Sequence, residues 1–235
     1  MPINKVIEIA RKEIGYLEKK NKNKLYEKTA NAGSGNYTKY WADIYPQYQG
    51  SPWCACFVTW VFTQAFGKEK TKKLLKHYPF TYCPTLGNLA KLNSNPKVGD
   101  IVLFYKNGRF SHTGIVSYVK GDYFKSIEGN TSASSGIEEN GGGVAEKGYY
   151  NSSLKGTKFV TPDWSIIPTE VKFNETPLLN TQGKILSDLN IRSKPTTEAS
   201  IIGKHNPGDI VIISAATDNG WYKVNYPNIG TGYLF

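Results

Sequence analysis

Apolar residues recur at Ile3, Val6, Ile7, Ala10, Ile14 and Leu17, with Glu, Lys and Arg between them. That spacing is one face of an α-helix and predicts an amphipathic helix at the start of the chain. The charge run EKKNKNK (18–24) reads as its solvated end, and NAGSGNYTKYW (31–41) as a polar loop leading into aromatic sequence. WCACFVTWVFTQAF (53–66) is apolar for most of its length, too long for a strand, and framed by Pro52 and Gly67. It predicts a buried helix. KEKTKKLLKHY, which follows, reads as a basic exposed segment. From residue 96 the texture becomes that of strands: Ile101–Tyr105, then 109–121, then 122–132, separated by Gly-containing turns. Short strands joined this way predict an antiparallel sheet, and helices followed by strands predict an α+β domain. After residue 165 the period is lost over a stretch holding two prolines. Short β-branched runs separated by SKP, NPGD, DNG and PNIGTG then predict a small all-β domain. The expected organisation is a first domain over 1–165, a linker over 166–180 and a β-domain over 181–235.

Composition narrows the function classes. At 39% hydrophobic and 13% aromatic, 235 residues build a sizeable core, which excludes wholesale disorder. The net charge of +10 favours a polyanionic partner, whether nucleic acid, an anionic membrane face or an acidic cell wall. The basic runs lack interleaved aromatic residues and read as solvated faces, so no nucleic-acid partner is expected. Nothing reaches the length of an apolar membrane span, and no membrane insertion is expected. The first helix has no uninterrupted apolar stretch of the signal-peptide kind. Synthesis in the cytoplasm without a signal peptide is the expectation. Three cysteines are too few for a disulfide framework, and Cys54-x-Cys56 would close a strained ring, so free thiols are expected. The paired Cys-x₂-Cys spacing of structural zinc is missing, and the Gly141–Gly143 run has no following Gly-Lys-Ser/Thr. No metal and no cofactor are expected, and the chain is expected to be a monomer.

Cys54 stands in the first turn after Pro52, where free N–H groups and the helix dipole lower a thiol pKa. Cys56, two residues on, points about 200° away round the helix. If one thiol faces a cleft the other faces the core, and position favours Cys54 as a nucleophile. Taken alone, the stretch reads first as that of a buried, inert cysteine. A cysteine nucleophile needs a base, usually His, and a group that orients the imidazole. Of three histidines, His77 lies in a basic segment and His205 in a turn of the β-domain. His112 opens an otherwise apolar strand, a position that also suits a structural histidine. Glu128 and Asn130 follow on the next strand, across a glycine, and either could hold the ring's Nδ1–H.

Together these stretches resemble the CHAP domain, the cysteine, histidine-dependent amidohydrolases/peptidases that cut bacterial cell walls. The matching pieces are WCACFVTW (53–60), VGDIVLF (98–104), HTGIV (112–116) and IEGNT (127–131), in the family's order. The resemblance implies a papain-like catalytic domain, N-terminal helices packed on an antiparallel sheet. It implies Cys54 as nucleophile, His112 as base, Glu128 as orienting acid and Asn130 as a second polar group. Trp53, beside the nucleophile, is a candidate substrate contact. Some members bind calcium through an acidic loop before the cysteine. Residues 43–54 here hold one acid, Asp43, so no calcium requirement is expected.

LNIRSKPT (189–196), IIGKHNPGD (201–209), VIISA (211–215), GWYKVNY (220–226) and TGYLF (231–235) resemble the bacterial SH3-type (SH3b) wall-binding domain, a small all-β SH3-like barrel. That resemblance makes Tyr222, Tyr226 and Tyr233 candidate wall-peptide contacts, with core packing as the alternative for each. The pairing implies a hydrolase of Gram-positive peptidoglycan of the phage-endolysin kind, acting on the wall after release as an N-acetylmuramoyl-L-alanine amidase or an endopeptidase. The alternatives are a host autolysin, an NlpC-type cysteine peptidase, and a catalytically inactive wall-binding protein.

Overall fold

The computed structural model describes residues 2–132, 134–167, 173–197 and 199–235, and the chain divides into two compact units, Met1–Ile167 and Pro168–Phe235. In the first unit, α1 (Pro2–Glu13) buries Val6, Ile7 and Ala10 as its pattern predicts. It stops short of Ile14 and Leu17 because the chain turns through Gly15 at φ +87°, a conformation open to glycine. The charge run 18–24 is therefore not a helix end. Its Lys19 is buried, with Nζ donating to the Lys28 carbonyl at 3.0 Å above the Tyr16 ring.

α2 (Lys39–Ile44) is capped by Thr38, whose hydroxyl accepts from the Trp41 N–H. α3 (Cys54–Leu74) runs past its expected end. Gly67 leaves helical geometry at φ +76°, and the chain then resumes the helix, with Thr71 and Leu74 buried and the lysines exposed. A glycine that reads as a stop is a kink here. α4 (Cys83–Leu89) was not expected, although Pro84 sits near its start, where a missing N–H costs nothing.

β1 (Ile101–Lys106), β2 (Arg109–Lys120) and β3 (Tyr123–Thr131) form as predicted. β4 (Gly143–Tyr150) and β5 (Lys158–Val160) extend them into an antiparallel sheet of order β4-β3-β2-β1-β5. α3 packs on β2 and β3, and α4 on β2. The main core, with Trp53, Phe57, Ile115 and Ile127, lies between helices and sheet. Phe104, Val116, Phe124, Tyr149 and Phe159 form a second cluster. Burial of all of Ile101–Phe104 explains why β1 reads as an apolar run instead of an alternation.

The second unit is one antiparallel sheet of six strands, order β6-β9-β10-β11-β7-β8. They are β6 (Glu175–Lys184), β7 (Leu189–Arg192), β8 (Ile201–His205), β9 (Ile210–Thr217), β10 (Tyr222–Tyr226) and β11 (Gly230–Leu234). Ile185, Ile191, Val211, Ile213, Val224 and Leu234 are its core. The linker expected over 166–180 is corrected in part. Residues 168–172 lie outside the described residues, but 175–180 are the first part of β6. Pro177 hid this strand. It is tolerated because β6 is at the end of the strand order and its ladder shifts between Pro177 and Thr181. The architecture is α+β followed by an SH3-like β region. Among the described residues no helix is long and apolar enough to cross a membrane.

Candidate active site

Cys54 opens α3, with Trp53 as the residue before the first turn. The first hydrogen bond of the helix runs from the Phe57 N–H to the Trp53 carbonyl at 2.8 Å, so the N–H groups of Cys54, Ala55 and Cys56 have no acceptor within it. Cys54 lines a cleft of about 650 Å³ with Trp41, Cys83, Arg109 and Phe110. Cys56 is wholly buried, and burial pushes its thiol up. The two faces separate as the helical period requires.

The cleft holds a second sulfur. Cys83, at the start of α4, brings its Sγ within 3.9 Å of Cys54 Sγ, and both thiols are free. This contact is the largest influence holding Cys54 well below the usual thiol range. Burial opposes it, and the His112 charge and the Ala55 N–H add to it. Cys83 is pushed the other way, first by the same contact and then by burial. The contact thus separates the two thiols in acidity, lowering Cys54 and raising Cys83.

His112 lies on β2 opposite Phe104, with the two rings stacked 5.7 Å apart. Its Nε2 is 2.9 Å from Glu128 Oε2, and both side chains are fully shielded from solvent. A carboxylate only accepts, so Nε2 carries the proton. The expectation of a carboxylate on Nδ1 is corrected. Nδ1 is buried and has no hydrogen-bond partner within normal reach, while the ring and Cys54 still shift one another's proton affinity. Burial disfavours the charged ring, but hydrogen bonding and charge at Cys54 and Glu128 outweigh it and push His112 up to about 10.

Glu128 is itself held from three sides. Its Oε1 accepts from Ser126 Oγ at 2.6 Å, and its Oε2 accepts from Tyr149 OH at 3.2 Å as well as from the ring. Two glycines of the sequence motifs make room for this arrangement. A Cβ on Gly114, two residues along β2 from His112, would lie 2.6 Å from Glu128 Cγ. A Cβ on Gly129 would lie 2.5 Å from Phe57 Cβ and 2.8 Å from the Trp53 ring, pushing α3 off the sheet. The motif glycines therefore set how closely the Cys54 helix approaches the strands of His112 and Glu128.

Asn130 is placed differently from expectation. It adopts φ +57°, and its Nδ2 donates to the Glu139 carbonyl at 3.2 Å instead of reaching the imidazole. Its carbonyl accepts from the Gly141 N–H, so it braces the Glu139–Asn140 wall of the cleft. Trp53 as a substrate contact is also corrected. The ring is fully buried, stacked on Tyr40, with Nε1 donating to Glu18 Oε2 at 2.9 Å. Asp43 commits both oxygens, to Trp60 Nε1 and to Tyr26 OH, each at 2.7 Å. Among the described residues no group of three or more His, Cys, Asp or Glu side chains is arranged to hold a metal ion.

In the second unit, Tyr233 is buried and donates to Glu175 Oε1 at 2.9 Å, so it acts as a strand staple and not as an exposed contact. Tyr226 is half-buried with its hydroxyl on His205 Nε2 at 2.8 Å. Only Tyr222 of the three is exposed, bordering a groove of about 280 Å³ with Leu186 and Phe235. The sequence reading missed Cys83, Ser126 and Tyr149. Cys83 carried a usable signal, since a residue directly before a proline that opens a helix stands at a helix start. Ser126 and Tyr149 had none, being ordinary strand residues.

Similarity to solved structures is distant. The structures of Ly7917 and of Ly7917 with the hydrolysing product of MDP each share 14% identity, cover 99% of this chain and 91% of that one, and align at a TM-score of 0.39. No curated protein gives a significant match. Domain families are informative: residues 46–130 match the CHAP domain, a span that runs from the aromatic segment before Cys54 to Asn130, and residues 187–235 match the bacterial SH3 domain. Residues 46–130 thus carry a CHAP domain and residues 187–235 a bacterial SH3 domain.

Proposed function

We propose that this chain cleaves an amide bond of Gram-positive peptidoglycan by covalent catalysis, as an N-acetylmuramoyl-L-alanine amidase or a peptidoglycan endopeptidase of the phage-endolysin kind. Cys54 is the nucleophile, His112 the acid/base and Glu128 the group that orients the ring. The observation that carries this reading is the combination of a depressed Cys54 thiol at a helix start with a raised, carboxylate-held His112.

The Cys54 thiolate attacks the carbonyl carbon, and the oxyanion forms beside the unbonded N–H groups at the head of α3. Protonated His112 gives its proton to the leaving amine, and the C–N bond breaks. His112, now neutral, takes a proton from water, whose oxygen attacks the thioester and releases the acid. Glu128, held in place by Ser126 and Tyr149, supports the imidazolium. The groove beside Tyr222 is the surface of the second unit on which wall peptide would rest.

Digestion of purified Gram-positive walls by the intact chain and by Cys54→Ala, with mass spectrometry of the fragments, tests the proposal. Fragments from the intact chain alone support it, and their new ends identify the bond. Binding without digestion by either protein would make the chain a wall-binding protein. Digestion by Cys54→Ala would remove Cys54 from the role.

A further inference from the structure

Most of the cleft's polar groups have a place in amide cleavage or in bracing the walls. The Cys83 thiol braces no wall and makes or breaks no bond in that cleavage; it only lowers the Cys54 thiol by contact. It is buried, free, without a part in the steps above, and 3.9 Å from the sulfur that performs them. Contact between two thiols in one accessible cleft is a chemical arrangement in its own right.

We propose that Cys54 and Cys83 are a peroxide-modification site, in which Cys83 resolves an oxidised Cys54 into a reversible Cys54–Cys83 disulfide that shuts off hydrolysis. The proposal rests on Cys54 being the nucleophile. Hydrogen peroxide is small enough for a cleft of about 650 Å³ that both sulfurs line. The thiolate of Cys54 attacks one peroxide oxygen, the O–O bond breaks, and hydroxide leaves and takes up a proton. Cys54 becomes a sulfenic acid. The Cys83 sulfur then attacks the Cys54 sulfur, the S–O bond breaks, and the thiol proton leaves with the oxygen as water. Two thiols and one peroxide give one disulfide and two waters.

The pair is suited to the sequence of events. Oxidation selects the sulfur with thiolate character, which is Cys54, and leaves the protonated Cys83 to act second. Both residues stand at the first turn of their helices, and α4 is only seven residues long, so the closing movement from van der Waals contact falls on a short element. Cys56 is two residues from Cys54 but faces the core, away from the cleft, and is the internal control.

The experiment treats the full chain with hydrogen peroxide and reads two things: peptide mapping of the three cysteines without reduction, and wall digestion before and after dithiothreitol. The expected result is a Cys54–Cys83 crosslinked peptide, unmodified Cys56, loss of digestion, and its return on reduction. Cys83→Ser, whose hydroxyl can still donate to the Cys54 sulfur, should then keep measurable wall digestion before treatment and lose it in excess peroxide without recovery, since no second thiol intercepts the sulfenic acid before it goes on to sulfinic acid. If that variant fails to fold, the crosslink map of the unaltered chain still decides. Cys54 recovered as sulfinic or sulfonic acid with no crosslink would overturn the proposal and leave the nucleophile in place. A crosslink with digestion unchanged would overturn the switch and the nucleophile together. No modification of either thiol would also overturn it.

Discussion

Among the described residues, two histidine–carboxylate pairs have the same length and opposite character. His112 and Glu128 meet at 2.9 Å, and so do His205 and Asp209. The first pair is fully buried, whereas His205 and Asp209 keep 15% and 42% of their side-chain surface. A second difference concerns the other ring nitrogen. His205 is bonded on both sides, with Nδ1 on Asp209 and Nε2 on Tyr226 OH. His112 has Nε2 on Glu128 and Nδ1 unbonded. A ring saturated with structural partners has no nitrogen left for proton transfer. The distance alone does not distinguish a catalytic dyad from a staple; burial and the free nitrogen do.

The comparison breaks most sharply on substitution of the rings. His112→Ala should reduce fragment release from purified walls to the background of Cys54→Ala. Removing either the nucleophile or its base costs on the order of 10⁶ in kcat in a well-studied serine protease, because the two act as a unit. His205→Ala should leave the catalytic step unchanged on a soluble peptide fragment of the wall. Equal losses from the two substitutions would erase the distinction drawn here.

Glu128→Gln is the next largest. It keeps the shape but replaces a pure acceptor with a group that donates on one side, and the corresponding change in a serine-protease triad costs about 10⁴ in kcat. A loss of about 10²–10⁴ in initial rate is expected, with wall binding retained. An undiminished rate would leave the carboxylate no role.

The pH profile sharpens the same point. In the proposed mechanism the active pair is thiolate with imidazolium. Because His112 is raised in the folded state, its contribution to stability is complete below the ordinary histidine value and is lost as pH rises through about 10. Cys54 is lowered, so its contribution is present above the ordinary thiol value and is lost as pH falls through its depressed folded value. Activity should hold between these limits and fall on the alkaline side near 10. In Glu128→Gln that limb should move to lower pH, since one of the groups holding the proton on the ring is gone. Alkylation of Cys54 by iodoacetamide against pH reads the acid limb without substrate, and the initial rate of wall digestion reads the alkaline one. A limb that does not move in the variant would separate Glu128 from the ring's proton.

The sequence made the buried pair legible and left its surroundings dark, for a physical reason. Cys54, His112 and Glu128 occupy positions whose neighbours are forced: a helix start after Pro52, Gly114 beneath Glu128 Cγ, and Gly129 against Phe57 and Trp53. Steric requirements of that kind leave a mark in the residue types. Asn130 could not be placed, because a positive φ at the register shift that follows Glu128 turns its side chain toward Glu139. Trp53 looked like a binding residue because its chemistry in a core and at a surface is the same. The helix beyond Gly67 and strand β6 were hidden by single residues, a glycine and a proline, whose local meaning tertiary contacts overrode.

Tyr149→Phe is the smallest and most delicate test of the comparison. The hydroxyl donates to Glu128 Oε2 at 3.2 Å, the longest of that carboxylate's three bonds, and burial keeps the phenol protonated by raising its pKa. Removing it leaves Ser126 on Oε1 and the imidazole on Oε2, so Glu128 stays oriented. Rate should fall by no more than about tenfold, equivalent to about 1.4 kcal/mol, just under the lower end of what one hydrogen bond to a charged group contributes. The staple gives the matching control: Tyr226→Phe removes one of His205's two partners, and its loss should appear as a small drop in thermal stability with no change in the chemical step. If Tyr149→Phe moves only stability and leaves rate and the alkaline limb untouched, the phenol is a staple as well, and the catalytic cluster around Glu128 ends at Ser126 and His112.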